Sequence, residues 1–478
     1  MEKLKVLNLS WFSKLKSNPN LSAFENLEWL ILEGCANLKE IDPSIQYAKR
    51  LLILNLSYCR SLKMLPKQLG KLENLEELVI DKTWIKEIPS CVGSLKKLKR
   101  LSAQWDWRSK HLSLKKIPSS IGKLGELVEL DLSYTRIKEL PESIGKLNKL
   151  KILNIEGCEI ERIPSSIGKL QSLQEVNAIS CKKLKGQILV DKGGLSSLKT
   201  LCLGETKISG LPENLHQLSS LEHLDLYNCH DLQSLPKPPC SLSFLWLTCR
   251  SNELPSLSHL KHLQKLYLWF CKSLQSIPSL SHLKHLQKLS LWFCKSLQSI
   301  PLLSHLKHLQ QLWLWHCESL QEIPELPSCI RTLSIWICPK LERLPNLSDL
   351  EFLSELGLNY CYGLKKLDGL ESLKSLRELR LPLLFAEMVD HLHAIEGLEK
   401  LGSLEVVDIS RRKHIQVLDL SKSEHLKKLI VRDCKSLVEI RCPSKFLKCF
   451  DRSGCESLKK LPDFIIEESN GEKLTEVC

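Results

Sequence analysis

Leucines recur along the whole chain in the pattern Leu-x-x-Leu-x-Leu. The pattern starts at Leu4, Leu27, Leu51, Leu75, Leu98, Leu127, Leu150, Leu173, Leu198, Leu221, Leu242, Leu263, Leu286, Leu309, Ile330, Leu353, Leu376, Leu404, Leu426 and Leu447. The intervals average about 23 residues, and only two are long, 29 after Leu98 and 28 after Leu376. In Leu150-Lys-Ile-Leu153-Asn-Ile155 the first leucine enters a turn, and Leu153 and Ile155 alternate with outward positions as a short strand with one buried face does. Eleven and fourteen residues after a start comes a second apolar pair, such as Ile85 with Ile88 or Leu274 with Ile277. That pair turns the chain back beneath the strand. One such unit cannot bury its own apolar side chains, whereas stacked neighbours share a continuous core.

The expected fold is an α/β leucine-rich-repeat solenoid, a curved horseshoe of about 20 repeats with a parallel β-sheet on the concave face and short irregular or helical turns on the convex face. Proline follows the second apolar pair in many repeats (Pro66, Pro89, Pro118, Pro141, Pro164, Pro278, Pro301, Pro324) and stops any strand there, because its φ is fixed and its N–H is missing. Segments such as Ser120-Ile-Gly-Lys-Leu124 and Ser143-Ile-Gly-Lys-Leu147 then supply the outer turns. The solenoid is expected over 1–462, with a tail or incomplete cap at 463–478. Two insertions break the register near 104–112 and 382–393. The first carries Trp105 and Trp107; the second contains Phe385-Ala-Glu-Met-Val-Asp-His391, which reads as helical. Either these loops carry function or their aromatics pin them to the solenoid.

Composition narrows the class. With 43% hydrophobic residues in 478, the chain can fill a core, and with only 6% aromatics leucine must carry most of it. No stretch approaches the roughly 18 apolar residues of a membrane helix, and no signal peptide is visible at Met1–Asn8. The net charge of +13 is moderate for this length. Basic clusters such as Lys96-Lys97-x-Lys99-Arg100 and Arg411-Arg412-Lys413 lack interleaved aromatics, so they read as solvated edges or contacts for an acidic partner, not nucleic-acid sites.

The 20 cysteines have an architectural explanation. Eight residues after the start, twelve repeats carry Cys (35, 59, 158, 181, 229, 271, 294, 317, 338, 361, 434, 455) and three carry Thr83, Thr135 and Thr206. A small side chain with weak hydrogen-bonding ability suits the end of a buried strand. Phe12, Asp106, Arg250, Leu384 and Arg412 break this ladder. Without a C-x-x-C pair or a base singling out one thiol, neither a metal site, a cofactor nor a catalytic cysteine is expected, and the chain is expected not to be an enzyme. Reduced thiols fit a cytoplasmic location.

The repeat Leu51-Leu-Ile-Leu-Asn-Leu-Ser-Tyr-Cys59-Arg-Ser-Leu-Lys-Met-Leu-Pro66 and its counterpart Leu127–Pro141, together with the S-I-G-K-L segments, resemble the repeat domain of plant intracellular nucleotide-binding leucine-rich-repeat immune receptors. The resemblance covers essentially the whole chain. It implies recognition of a protein ligand, a pathogen effector or a monitored host protein, and contact with a nucleotide-binding domain in a full receptor, in the cytoplasm or also the nucleus. No G-x-x-x-x-G-K-[ST] phosphate loop occurs, so nucleotide binding is not carried over. The chain begins inside a repeat with no polar cap, the expectation for a partial product. Extracellular plant receptors usually place Asn where these repeats place Cys; the sequons at Asn8, Asn20, Asn55 and Asn346 point weakly that way. A stand-alone intracellular scaffold on the same repeats is the alternative.

Residues between the strand leucines should form the contact surface. Six residues after the start stand Trp269, Trp292, Trp315 and Trp336; four after it stand Trp246, Tyr267, Ser290, Trp313 and Ser334. Seven of these nine are aromatic, each with roughly 150–250 Å² to bury. They are the candidate partner-binding residues, although the rings could simply stack and cover the sheet. Leu257–Pro278 and Leu280–Pro301 are identical except for Tyr267 against Ser290, so one ancestral Trp has been copied. The third copy, Leu303–Pro324, changes three strand positions (Gln311, Trp313, His316) and keeps every core leucine. The pairs His259/His262, His282/His285 and His305/His308 lack companion ligands and read as solvated decoration.

Overall fold

A computed structural model describes residues 3–106, 114–188, 193–254, 256–383 and 390–460. Its contacts group the chain into two compact units, Met1–Leu242 and Ser243–Cys478. Each is a solenoid of parallel strands. In the first, the main sheet runs from Val6–Asn8 to His223–Leu226 with neighbouring repeats paired in register, Leu130 opposite Leu153 and Leu153 opposite Val176, while Lys185–Gln187 and Lys207–Gly210 form a separate small sheet. In the second the main sheet runs from Phe244–Leu247 to Cys449–Asp451, Leu289 opposite Leu312 and Leu312 opposite Leu333, with Val417–Asp419 and Glu439–Arg441 paired apart. The core is the leucine ladder the spacing predicts, and the second apolar pair is buried too: Ile85 and Ile88, Leu274 and Ile277.

All helical segments among the described residues are 3-10 turns. Five of them, Lys67–Lys71, Ser90–Ser94, Ser119–Lys123, Glu142–Lys146 and Ser165–Lys169, follow directly on Pro66, Pro89, Pro118, Pro141 and Pro164. The glycine of these turns lets neighbouring repeats pack closely. A Cβ on Gly93 would lie 2.6 Å from the Ser120 carbonyl oxygen, and one on Gly145 would lie 2.6 Å from that of Ser166.

Several strands carry an Asx turn at their end. Where the fourth residue after the start is Asn or Asp, its side chain accepts the backbone N–H two residues on, as Asn55 does from Ser57 (2.9 Å) and Asp131 from Ser133 (2.9 Å). Strands Ile53–Asn55, Glu129–Asp131 and Ile152–Asn154 end at that residue, as Glu77–Val79 does without such a bond, and the Leu56 N–H still donates to the Val79 carbonyl of the next repeat. The Asx bond occupies the Asn of all four sequons, Asn8, Asn20, Asn55 and Asn346. Those sequons are therefore explained by turn geometry.

The position seven after the start is left-handed in most repeats, including Tyr58, Tyr134, Phe270, Phe293 and His316, with φ between +54° and +62°. Next to it sits the cysteine ladder. Cys158 Sγ donates to the Leu132 carbonyl (3.0 Å) and Cys229 Sγ to that of Leu203 (3.1 Å). Burial pushes both thiols up to about 11, so they stay protonated and weakly nucleophilic near neutral pH. Thr135 and Thr206 instead donate to their own repeat's carbonyl, at 2.7 Å each.

The ladder breaks have separate causes. Phe12 is exposed. Arg412 is completely buried: its Nε donates to the Leu381 carbonyl (2.8 Å), and its Nη1 lies 2.7 Å from the equally buried Asp390 carboxylate. Asp390 also accepts the N–H groups of Leu392 and Lys413. An arginine in the cysteine slot thus staples the second insertion to the solenoid. The helix expected at 385–391 lies largely outside the described residues, as do Leu384, Trp107 and the tail at 463–478. Trp105 packs almost fully buried in the first unit, its backbone N–H donating to the Ser133 carbonyl (2.9 Å).

Candidate functional site

All seven aromatic residues singled out by spacing lie on the sheet face opposite the leucine core of the second unit. In Lys265–Trp269, Leu266 and Leu268 are buried while Tyr267 and Trp269 stand half-buried on the other side. Register then aligns the rings: Trp269 opposite Trp292, Trp292 opposite Trp315, Trp315 opposite Trp336. Their centroids are 4.2, 4.1 and 4.7 Å apart, and the middle pair is nearly parallel at 12°. Trp246 joins the end of the row against Trp269 and Tyr267, both at 5.5 Å. Trp313 flanks Trp315 at 6.1 Å.

The rings therefore do stack, and this shapes what the surface can do. Trp292 gives both faces to neighbours and presents mainly an edge outward. Four indole N–H groups, on Trp269, Trp292, Trp313 and Trp336, are buried without a hydrogen-bond partner among the described residues; that of Trp315 donates to Ser334 Oγ (3.3 Å). Leaving a buried donor unmatched costs about 1–3 kcal/mol, which the stacked area offsets. The Lys288 ammonium sits 3.4 Å from the Trp313 ring centroid and 5.5 Å from that of Tyr267. Burial among these rings, with Lys265 nearby, holds Lys288 below the usual lysine range.

A second row escaped the sequence reading. Phe270, Phe293 and His316 stack at 4.4 and 4.2 Å, each interplanar angle being 10°. They occupy the left-handed position, and their N–H groups prolong the ladder by donating to the carbonyls of Trp292, Trp315 and Trp336. The signal was present as an aromatic directly after each Trp, but strand alternation would have sent it into the core. The histidine pairs stand apart from this face. His262, His285 and His308 are exposed and form their own row at 6.2 and 5.9 Å.

Comparison with known proteins agrees with this geometry. The family described as "Leucine-rich repeat region" matches residues 5–112, 108–203 and 179–359. Disease resistance protein RPS4B of Arabidopsis thaliana is 35% identical over 131 residues, covering 27% of this chain and 10% of that protein. TMV resistance protein N of Nicotiana glutinosa is 28% identical over 152 residues, covering 27% of this chain and 13% of its own. These matches thus span about a tenth of each relative's length. Among solved structures, a leucine-rich-repeat protein of Leptospira interrogans is 26% identical with a TM-score of 0.57, covering 79% of this chain and 90% of its own. The functional domain of InlJ from Listeria monocytogenes, which includes a cysteine ladder, shares the fold at 19% identity and a TM-score of 0.53, covering 72% and 70%.

Proposed function

Because the chain belongs to the leucine-rich-repeat family, we propose that it is a protein-recognition module of the plant disease-resistance type, binding a pathogen effector or a monitored host protein. In a full receptor it would also restrain a nucleotide-binding module, and it would work in the cytoplasm or nucleus. No helix among the described residues is long and apolar enough to cross a membrane.

The observation that carries this reading is the aromatic sheet face. A row of rings fixed by stacking is already ordered, so a partner closing over it loses little side-chain freedom in the bargain. Trp is favoured at the energetic centres of interfaces, and Lys265 and Lys288 give this one a basic flank. Regulation follows if the ligand binds the released receptor better than the restrained one, since only differential affinity shifts such a balance. The test is a binding screen of the chain against effectors and host proteins, repeated with Trp292→Ala/Trp315→Ala. The genuine partner is retained by the native chain and lost by the double variant, whose fold is checked by circular dichroism. Partners that bind both forms equally would refute the assignment.

A further inference from the structure

The sheet face of the first unit has different chemistry. Strands Thr200–Cys202 and His223–Leu226 pair with Thr200 opposite His223 and Cys202 opposite Asp225. Alternate residues of a strand share a face, so Cys202, His223 and Asp225 come together there. The Cys202 thiol sulfur, an imidazole nitrogen of His223 and a carboxylate oxygen of Asp225 all lie within 4.8 Å of one another. We propose that these three residues form a binding site for one zinc ion.

The donor set is the first argument. Thiolate, imidazole and carboxylate are the ligands zinc takes, with bonds of about 2.0–2.3 Å that set tetrahedral ligands roughly 3.3–3.8 Å apart. The three atoms need to draw in by about 1 Å for bonds of that length, which side-chain torsions supply. Cys202 is available for the role. It stands four residues after its repeat start, outside the buried ladder whose thiols donate to backbone carbonyls.

Charge is the second, independent argument. Asp225 is only 5% exposed, and its carboxylate accepts one hydrogen bond, from the Tyr227 N–H (3.0 Å). Glu175 and Glu156 act electrostatically on Cys202 alongside Asp225. Glu205 accepts a hydrogen bond from Ser180 (2.7 Å). None of these four acids forms an ion pair among the described residues, whereas acids elsewhere in the unit do, as Glu126 with Lys149 and Glu159 with Lys183. In a chain carrying +13 overall, this patch has no countercharge in an ion pair among the described residues. A divalent cation compensates it directly.

On binding, the thiol proton leaves to solvent and the sulfur lone pair forms the metal bond. The Asp225 carboxylate and the His223 nitrogen complete three positions, and the fourth stays open to water or to a donor atom from a partner. The ligands belong to neighbouring repeats, so the ion also clamps two turns of the solenoid together.

The experiment titrates chelator-stripped full chain with zinc chloride by calorimetry and with cobalt chloride by absorbance. One ion per chain and a thiolate-to-cobalt charge-transfer band are expected. Cys202→Ser, His223→Ala and Asp225→Asn should each weaken zinc tenfold or more, while the ladder control Cys158→Ser leaves it unchanged. Zinc binding that survives Cys202→Ser with His223→Ala, magnesium binding as tightly as zinc, or a basic peptide occupying the patch while zinc does not bind, would each overturn the site. None of these readouts depends on the tryptophan face.

Discussion

Compare strands Glu129–Asp131, Ile152–Asn154 and Glu175–Asn177 of the first unit with Lys265–Trp269, Lys288–Trp292 and Gln311–Trp315 of the second. Their buried residues are nearly the same, Leu130, Leu153 and Val176 against Leu266, Leu289 and Leu312. The outward residues differ completely. In the first set Asp131, Asn154 and Asn177 cap the backbone two residues on, and each strand is three residues long. In the second, Tyr267, Ser290 and Trp313 make no such turn, the strand runs for five, and the last residue is a Trp stacked on its neighbour. The cysteine ladder feels the change. Its sulfur-to-carbonyl distances are 3.0 Å at Cys158 and Cys181, but 3.8 and 3.7 Å at Cys294 and Cys317. The core thus fixes the repeat, and the residues between the leucines decide what the sheet offers outward.

The largest expected effect falls where the ladder itself is replaced. Asp390→Ala would strand the buried Arg412 guanidinium and cost about 4 kcal/mol, read as local opening by hydrogen exchange in the strands around Val406–Asp408; a loss below 1 kcal/mol would mean the staple is ornamental. The two regions should then respond alike in the core. Leu153→Ala and Leu312→Ala, both at fully buried sites, should each cost about 3 kcal/mol, and a marked inequality would show that the cores differ after all.

A pH experiment separates the two faces. Burial pushes the Asp225 carboxyl up to about 6, above its unfolded value of about 3.9. Its contribution is intact below pH about 3.9 and turns against folding as pH rises through about 6. Metal-free Asp225→Asn should therefore gain about 3 kcal/mol at pH 8 and nothing near pH 3.5. A pH-independent difference would contradict the desolvated carboxylate. The smallest contrast concerns the turns. Asn154→Ala removes an Asx bond and should cost about 1 kcal/mol, while Ser290→Ala, at the corresponding site of the second unit, should stay within about 0.5 kcal/mol.

Much of this was legible in one dimension. The period, the buried leucines, the cysteine slot and the outward tryptophans all repeat at fixed offsets, so Leu266, Cys294 and Trp315 lie where counting puts them. What counting missed depends on conformation or on contacts between repeats. Phe270 and Phe293 needed the left-handed backbone to reach the surface. Arg412 looked like a defect until Asp390, 22 residues away, was placed beside it. Cys202, His223 and Asp225 follow no ligand spacing along the chain, because strand register brings them together. The spacing also allows the tryptophans to stack on one another, and they do. The geometry shows that the rings cover one another and still leave a row of edges outward.

The most direct test of the recognition face is hydroxyl-radical footprinting of the chain alone and with a partner recovered in the binding screen. The account predicts that oxidation of Trp269, Trp292, Trp313, Trp315 and Trp336 falls sharply in the complex, while exposed Trp11 and Phe352 are modified as before. Unchanged oxidation of the five tryptophans in a saturated complex would contradict it.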